Sequence, residues 1–331
     1  MTPQPIHRRS LLRLAAAAAG AAAACAGVRA QSTWPSRPVT LVVPFPAGGG
    51  TDAFARPLAA QFTRATGHTL VIDNRGGAGG TVGASIAAKG APDGHTLFMG
   101  AVHHAIAPAI YPRLDYDIER DFVPLMLLAN VPQVVVVNPR RVTQPGIKEF
   151  IAYAKQNPGK LNYASAGAGT SHHLAGELFK LQTGTFITHI PYRGAGPMLQ
   201  DLIAGNVDCG FDGLGSSAQH IKAGRIKALM VSGAQRNAAF PDVPSASESG
   251  LPDYTVTTWY GLWAPKGTPP ELAARITEDM RRTLAADELK TIWASNGSEI
   301  PNLTGAAYGQ FVSAEVKRWA AVVKASGAKL E

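Results

Sequence analysis

Val39-Thr-Leu-Val-Val43 stands directly before Pro44-Phe-Pro-Ala-Gly-Gly-Gly-Thr-Asp52, and this stretch decides the fold class. The first run is apolar and rich in β-branched residues, which is typical of a strand buried on both faces of a sheet. Phe54, Leu58 and Phe62 then recur at intervals of four, as on the buried side of a helix. The stretch therefore predicts a buried strand that turns through glycines into an amphipathic helix.

The turn between them, residues 44–52 (the first loop), is a candidate anion site. Glycines let a backbone turn sharply and approach a ligand, and a helix start offers unpaired N–H groups at the positive end of the helix dipole. A tight turn with Thr51 or Asp52 as an ordinary helix cap explains the same residues. The loop lacks the lysine of a phosphate-binding loop and the G-x-G-x-x-G spacing of a dinucleotide site. The ligand-contact candidates in it are Phe45, Ala47, Gly48, Gly49, Gly50, Thr51 and Asp52.

A second glycine-rich turn, Tyr163-Ala-Ser-Ala-Gly-Ala-Gly-Thr-Ser171 (the second loop), also joins a predicted strand to a predicted helix. Two such turns, roughly 120 residues apart, suit two helix starts that face each other across a cleft. Such a pair can hold both ends of a diacid, or one carboxylate and one polar group. A purely loop-stabilising role for the serine of this turn is the alternative. The candidates are Ser165, Ala168, Gly169, Thr170, Ser171 and, in the next helix, His173.

Two further segments carry polar candidates. Phe211 and Asp212 end a predicted strand and precede small residues. The carboxylate there can accept from a ligand hydroxyl or ammonium, or order a bridging water, and a turn-forming aspartate is the alternative. Tyr192 precedes Arg193, whose guanidinium suits bidentate pairing with a carboxylate. An arginine that is solvated or paired on the surface is the alternative there.

The order of predicted elements indicates the architecture. Short β-branched runs alternate with helical patterns, which predicts an α/β fold with mostly parallel strands. About 300 residues exceed what one core usually supports, so two lobes are expected. Extended segments at residues 130–138 and 254–264 are predicted to cross between the lobes. The first lobe is predicted to be discontinuous, with residues 34–132 and 256–331, and residues 133–255 to form the second.

Residues 1–30 predict an export signal that is not part of the fold. Arg8 and Arg9 open a positive start that resembles a twin-arginine signal, and an alanine-rich apolar run follows. General secretion is the alternative route. Val28-Arg29-Ala30 offers small residues for cleavage, so the mature chain is expected to begin at Gln31 and to reside in the periplasm.

Composition argues against several classes of protein. The sequence carries 31 Lys and Arg against 23 Asp and Glu, and four of the arginines precede Gln31, which leaves the mature chain at +4. It shows no Lys/Arg run of the kind that marks a nucleic-acid surface, whereas a mild positive field suits a small anion. Cys209 is the one cysteine after Gln31, so no intrachain disulfide is expected. We expect no cofactor, no membrane span in the mature chain, and a monomer.

Histidine pairs and one serine raise the question of catalysis. His103-His104 and His172-His173 are adjacent in sequence, so their side chains point in different directions on a helix, and no H-E-x-x-H or spaced Cys/His set accompanies them. Roles in the core, at a cap or in the cleft lining are therefore favoured over a metal site, and His104 joins the ligand-contact candidates. A serine hydrolase using Ser165 is the alternative function, although Tyr-Ala-Ser-Ala-Gly is not G-x-S-x-G. We expect no enzyme activity.

Seven motifs follow one another over the chain from about Trp34 onward. They are Trp34-Pro-Ser-Arg-Pro-Val-Thr40, Pro44-Phe-Pro-Ala-Gly-Gly-Gly-Thr-Asp52, Asn74-Arg-Gly-Gly-Ala-Gly-Gly80, His172-His-Leu-Ala-Gly-Glu-Leu-Phe179, Pro191-Tyr-Arg-Gly-Ala195, Pro241-Asp-Val-Pro244 and Gly261-Leu-Trp-Ala-Pro265. Each is weak alone, but together and in this order they resemble the Bug-type substrate-binding receptors of tripartite tricarboxylate transporters.

This resemblance implies a two-lobed periplasmic-binding-protein fold, type II-like, that closes on a ligand in a central cleft. It implies recognition mainly by backbone N–H groups and ordered water from the first and second loops, with Asp212 close by. The implied ligands are di- or tricarboxylates, acidic amino acids or aromatic acids. The implied partner is a two-component membrane permease, with uptake or sensing as the purpose.

The chain also departs from the family pattern. Gly213 stands where relatives often carry asparagine after the aspartate. Ala101-Val-His-His-Ala105 replaces a stretch that bears serine or threonine in many relatives, so His103 or His104 is predicted to add a donor, or a charge at lower pH, and to favour an aromatic or longer acid. Residues 74–80 (the glycine segment) are predicted to form a structural turn that packs near the cleft.

Overall fold

The β-branched runs of the sequence form the central sheet. The computed structural model describes residues 34–328, so the predicted export signal and its cleavage before Gln31 lie outside the described residues. The chain from Arg37 onward forms one compact unit, and residues 34–36 belong to a separate short unit. The strands are β1 (Val39–Val43), β2 (Leu70–Asn74), β3 (Thr96–Ala101), β4 (Phe122–Val137), β5 (Asn162–Ser165), β6 (Thr188–Pro191), β7 (Cys209–Gly213), β8 (Lys227–Val231) and β9 (Thr257–Pro265).

Helices connect most of these strands and cover the sheet. No helix within residues 34–328 combines the length and the apolar character needed to cross a bilayer. The helices are α1 (Gly50–Thr66), α2 (Thr81–Ala88), α3 (His103–Ile110), α4 (Ile147–Gln156), α5 (Ser171–Thr183), α6 (Ala195–Ala204), α7 (Leu214–Lys222), α8 (Pro270–Leu284), α9 (Asp287–Ser295) and α10 (Gly305–Ser326).

The strands pair in the order β2-β1-β3-β9-β4-β7-β5-β6, and β8 also pairs with β4. Strand β1 runs parallel to β2 and β3, and β5 runs parallel to β6 and β7. The pairings that β4 and β9 form with described strands are antiparallel. The α/β class is confirmed, but the expectation of mostly parallel strands is corrected. The sheet is mixed because two of its central strands run against their neighbours.

The long strand β4 joins the two halves of this sheet. Its residues 122–132 pair with β9, and its residues 133–137 pair with β7. The strand therefore changes partners at Gln133 and carries the chain from one half into the other without a linker, while β9 lies beside its first part. This arrangement supports the predicted lobe boundaries, at residues 132/133 and 255/256, which we retain as a proposal.

A buried carboxylate fixes the C-terminal helix α10 to β9. The indole N–H groups of Trp259 and Trp319 donate to Glu315 Oε2 at 2.8 and 3.1 Å. Glu315 is 7% exposed, and Arg318 Nη1 lies 3.0 Å from its other oxygen. A buried charge is tolerated when it is both paired and hydrogen-bonded, and here these contacts meet both conditions.

We predict that Glu315→Ala lowers the free energy of unfolding by about 2–4 kcal/mol, because each buried indole N–H left without an acceptor costs about 1–3 kcal/mol. The control is Glu278→Ala on α8, whose ion pair with Arg281 is exposed and whose loss is expected to change stability little. Urea unfolding of the mature protein measures both. Equal losses in the two variants would contradict the structural role of Glu315.

Candidate functional site

Asp52 holds the first loop in place. Gly49 is the N-cap residue of α1, so Thr51 and Asp52 lie inside the first helical turn, and the alternative in which one of them is an ordinary helix cap is wrong. Asp52 Oδ2 reaches back to accept from the Gly48 N–H at 2.9 Å and from Arg56 Nε at 2.7 Å. The buried carboxylate is therefore balanced by Arg56 and stabilises the loop from within.

Asn74 connects the first loop to the glycine segment. Its Nδ2 donates to Phe45 O at 2.9 Å and to Asp52 Oδ1 at 3.1 Å. Four consecutive residues of the segment have positive φ: 140° at Gly77, 44° at Ala78, 60° at Gly79 and 95° at Gly80. For Ala78 this conformation is costly, and such costs concentrate at functional positions.

The amides at the start of α5 are occupied within the protein. The Ser171 N–H donates to His103 Nδ1 at 3.0 Å, and the Gly169 N–H donates to His173 Nδ1 at 3.2 Å. Thr170 is the N-cap, and its Oγ1 accepts from the His173 N–H at 3.4 Å. These bonds correct the expectation that the second loop presents bare amides at Gly169 and Ser171. Ligand contact by these residues stays a proposal.

Ser165 ends β5 and is fully buried. Its Oγ lies 2.7 Å from His189 Nε2 and accepts from the Gly167 N–H at 3.1 Å. The His189 ring stacks on His173 with centroids 4.2 Å apart, and burial, with His173 as a second cause, lowers the pKa of His189 to about 3. A base of such low basicity activates a hydroxyl poorly. The burial of Ser165 and the low basicity of His189 therefore do not favour a serine hydrolase.

Asp212 belongs to a buried polar group at the end of β7. Ser216 Oγ donates to Asp212 Oδ2 at 2.8 Å, and Ser217 Oγ donates to the same oxygen. His172 Nδ1 lies 3.5 Å from Oδ1; burial lowers the pKa of His172, and the Asp212 charge opposes that shift. Phe211 packs in the hydrophobic core. The protein itself thus engages both residues, and their contact with a ligand stays a proposal.

His104 supports the glycine segment from behind. Its Nε2 lies 3.3 Å from Gly80 O, which can only accept, so the proton of the neutral ring belongs on Nε2, and Nδ1, 3.0 Å from both Ala101 N and Ala101 O, accepts from the Ala101 N–H. Burial lowers the pKa of His104 to about 4, and the ring is therefore neutral near pH 7. Both ring nitrogens form hydrogen bonds with the backbone, so His104 holds the glycine segment in place behind the site.

A cavity of about 630 Å³ lies beside these loops, within the range usual for small-molecule sites. Of the residues singled out from the sequence, it is lined by Phe45, Ala168, Tyr192 and Arg193. Residues 47–52 and the start of α5 are not part of this lining. The lining consists of Phe45, Pro46, Asn74, Gly76, Gly77, Ala78, Gly79, Gly80, Tyr111, Ala166, Gly167, Ala168, Pro191, Tyr192 and Arg193.

Arg193 gives this cavity its charge. The lining holds no aspartate, glutamate or lysine, so the exposed guanidinium of Arg193 is the charge that a ligand meets there. Tyr192 Oη donates to Asp201 Oδ2 at 2.7 Å, and burial together with this bond raises the pKa of Tyr192 to about 12. The tyrosine is thus a neutral wall, and the electrostatics of the cavity favour an anion.

Comparison with known proteins identifies the family. Residues 54–328 match the family model described as the tripartite tricarboxylate transporter family receptor. The chain belongs to this receptor family. It is 39% identical over 294 residues to the UPF0065 protein in the tcbD-tcbE intergenic region of Pseudomonas sp. strain P51, covering 88% of this chain and 87% of that protein. It is 35% identical to BugT of Bordetella pertussis, covering 93% and 96%.

Solved structures of receptors agree with the fold. The periplasmic binding protein BugD superposes with a TM-score of 0.86 at 34% identity, covering 90% of this chain and all of that one. Rpa4515 of R. palustris, solved with adipate, gives 0.86 at 36% identity with the same coverage. MatC of Rhodopseudomonas palustris, with bound malate, gives 0.82 at 35% identity and covers 88% of this chain and all of that one. The two-lobed periplasmic-binding-protein fold expected from the sequence is thereby confirmed.

In this receptor, Tyr111 and the glycine segment line the cavity, and Tyr111 was not among the candidates that the sequence indicated. Tyr111 Oη donates to Ala168 O at 3.5 Å, and a Cβ placed on Gly79 would lie 3.3 Å from the same oxygen. The run of glycines at residues 76–80 was visible in the sequence, but it was interpreted as a structural turn. Tyr111 gave no signal, because it follows α3 without any motif around it.

We predict that Gly79→Ala destabilises the receptor more than Gly184→Ala. Both glycines have left-handed backbones, with φ of 60° and 64°, so each alanine costs about 1–2 kcal/mol in backbone strain. A Cβ at Gly79 would also meet Tyr111 Oη at 2.7 Å, whereas one at Gly184 meets nothing within 4 Å. Urea unfolding measures both losses. Equal losses of stability in the two variants would show that Gly79 is not tightly packed against Tyr111.

Proposed function

We propose that this receptor captures a small carboxylate in the cavity and presents it to a membrane permease, for uptake or for sensing. The observation that carries the proposal is Arg193, the one charged side chain in a lining in which five of the fifteen residues are glycines. A guanidinium binds a carboxylate through two parallel charge-assisted hydrogen bonds, and nearby main-chain N–H groups add donors without adding charge. No acidic side chain of the lining competes for that cation.

The ligands of similar receptors support this class of molecule. Adipate and malate are present in two of the solved structures, and both are short dicarboxylates. The cavity volume of about 630 Å³ accommodates acids of this size. We therefore propose a dicarboxylate or a carboxylate with a polar second end, held at one end by Arg193.

The first loop supplies a second set of donors in this proposal. A Cβ on Gly49 would lie 3.8 Å from Gly196 N and 3.9 Å from Ala195 N, so the start of α1 and the start of α6 face each other. The first N–H groups of a helix have no partner in the helix, and both dipoles favour a negative charge between them. Gly50 and Thr51 lie outside the cavity lining, so their contact with the ligand from the side of α1 is a separate part of the proposal.

The remaining expectations complete the proposal. Residues 1–30 direct export and are removed before Gln31, and the mature chain acts in the periplasm as a monomer. The partner is a two-component permease, consistent with a family named for tripartite transporters. The receptor catalyses no reaction, which is supported by the complete burial of Ser165 and the low pKa of His189 beside it.

We predict that Arg193→Ala weakens binding of adipate or malate by about 10–100-fold, because a hydrogen bond to a charged group contributes about 1.5–3 kcal/mol. Isothermal titration calorimetry of the mature protein with each acid measures the dissociation constant. Arg193→Lys keeps the charge but loses the bidentate geometry, so it should fall between wild type and alanine.

The matched control for Arg193 is Arg225→Ala, an exposed arginine outside the cavity lining that should leave affinity unchanged. If the wild type binds an acid and Arg193→Ala binds it equally well, Arg193 does not hold the carboxylate. If thermal-shift screening of mono-, di- and tricarboxylates finds no ligand at all, the proposed function itself fails.

We predict that Gly49→Val preserves the fold but weakens carboxylate binding by about tenfold or more, which corresponds to about 1.4 kcal/mol. A Cβ at Gly49 meets its nearest atoms at 3.5 Å, an ordinary contact, and projects toward the start of α6. Gly146→Val is the control, since Gly146 is likewise a helix N-cap with an extended backbone but begins α4 and is not part of the first loop. Circular dichroism checks the fold, and unchanged affinity would remove the first loop from the site.

A further inference from the structure

The side chain of His103 contacts both of the loops that flank the site. Its Nδ1 accepts from the Ser171 N–H at 3.0 Å, where the second loop enters α5. Its ring packs edge to face on Phe45 of the first loop, with centroids 5.0 Å apart, and Phe45 lines the cavity. One imidazole, 5% exposed and carried by α3, thus holds the two loops to each other.

Ser171 is also held from the strands that join the two halves of the sheet. Gln133 Nε2 donates to Ser171 Oγ at 2.9 Å and to Thr258 Oγ1 at 3.1 Å. Gln133 is the residue at which β4 changes partners, and Thr258 lies on β9. The amide of Ser171 is therefore fixed by His103, while its hydroxyl is fixed by the crossing strands.

We propose that His103 is a positioning residue that clamps the first and second loops together only while its imidazole is neutral, which makes ligand capture sensitive to acid. The part that concerns ligand capture rests on the proposed function, whereas the clamp itself does not.

The direction of the hydrogen bond gives the clamp its dependence on charge. A nitrogen that accepts an N–H carries no proton, so neutral His103 has its proton on Nε2. Protonation of Nδ1 would place an N–H donor against the Ser171 N–H and a positive charge at the positive end of the α5 dipole. Both effects are repulsive, so the charged ring cannot keep this contact.

The surroundings of His103 oppose its protonation. The titratable groups that face it are His104 on α3 and His172 on α5, whose ring centroid lies 5.6 Å away. Asp212 lies beyond His172, with its carboxylate 3.5 Å from His172 Nδ1, and its charge acts on His172. Burial lowers the pKa of His103 well below its ordinary value, and His172 and His104 lower it further.

The sign of the pH effect follows from this shift. As the pH falls below about 6.5, the unfolded or unclamped state takes up a proton before the clamped state does. The clamp is thus fully present above about pH 6.5 and is progressively lost below it. Because one proton is involved, the equilibrium constant for opening the clamp rises by up to about tenfold for each pH unit. Acid therefore releases the loops.

The test compares His103→Asn with His103→Ala, using adipate and malate as probes in calorimetric titrations at about pH 7.5 and about pH 5. Asparagine offers Oδ1 as an acceptor that does not titrate. We expect His103→Asn to bind within about threefold of wild type at the higher pH and His103→Ala to bind about tenfold more weakly. We expect wild type to lose affinity in acid by about tenfold more than His103→Asn does. His68→Asn, at an exposed histidine, is the control and should keep the wild-type pH profile.

A second readout needs no ligand and so separates this inference from the proposed function. Hydrogen exchange at the Ser171 amide of the unliganded protein should be slow in wild type and His103→Asn, and at least about tenfold faster in His103→Ala. Acid should accelerate exchange beyond the intrinsic rate in wild type and not in His103→Asn. Identical pH profiles for wild type and His103→Asn, or equal exchange in the asparagine and alanine variants, would overturn the clamp even if carboxylate binding is confirmed.

Discussion

A buried N–H group needs an acceptor, and this constraint organises the loops around the site. The glycine-rich turns place helix starts inside the protein, where water is a poor partner for their amides. Side chains accept hydrogen bonds from several of these amides. Asp52 accepts from the Gly48 N–H, His173 from the Gly169 N–H, and His103 from the Ser171 N–H. The loops are therefore held in a defined shape before a ligand arrives, which reduces the ordering that binding must supply.

The same contacts determine where charge is available. Asp52 is neutralised by Arg56 and Asp212 is surrounded by serine hydroxyls and His172, so neither acid faces the cavity lining. Arg193 is left as the charged side chain of a lining that also includes the backbone of the glycine segment. A negative guest thus meets one cation and a wall of main chain, and the buried acids act as scaffold. This division explains how a chain with many charged residues near its cleft still favours anions.

Local patterns predicted much of this fold, and contacts between distant residues account for what they missed. The strand and helix at Val39–Val43 and Gly50–Thr66 follow from periodicity and glycine content, which act within a few residues. The mixed sheet was missed because strand direction depends on how β4 and β9 pair across the molecule. His189 and Tyr111 were missed for the same reason: their partners, Ser165 and Ala168, lie far away in sequence, and no spacing rule links them.

The glycines that line the cavity affect how such a receptor distinguishes its ligands. Backbone N–H groups bind any carboxylate, so they supply affinity with little selectivity for the rest of the molecule. Selectivity must then come from the few side chains of the lining, and these are Phe45, Asn74, Tyr111, Tyr192 and Arg193 beside prolines and alanines. In the proposed mode of binding, the aromatic rings limit the length and width of the ligand, and Arg193 holds one of its ends. Under this proposal, replacing one ring of the lining changes the shape of the cavity without disturbing the backbone of the glycine segment.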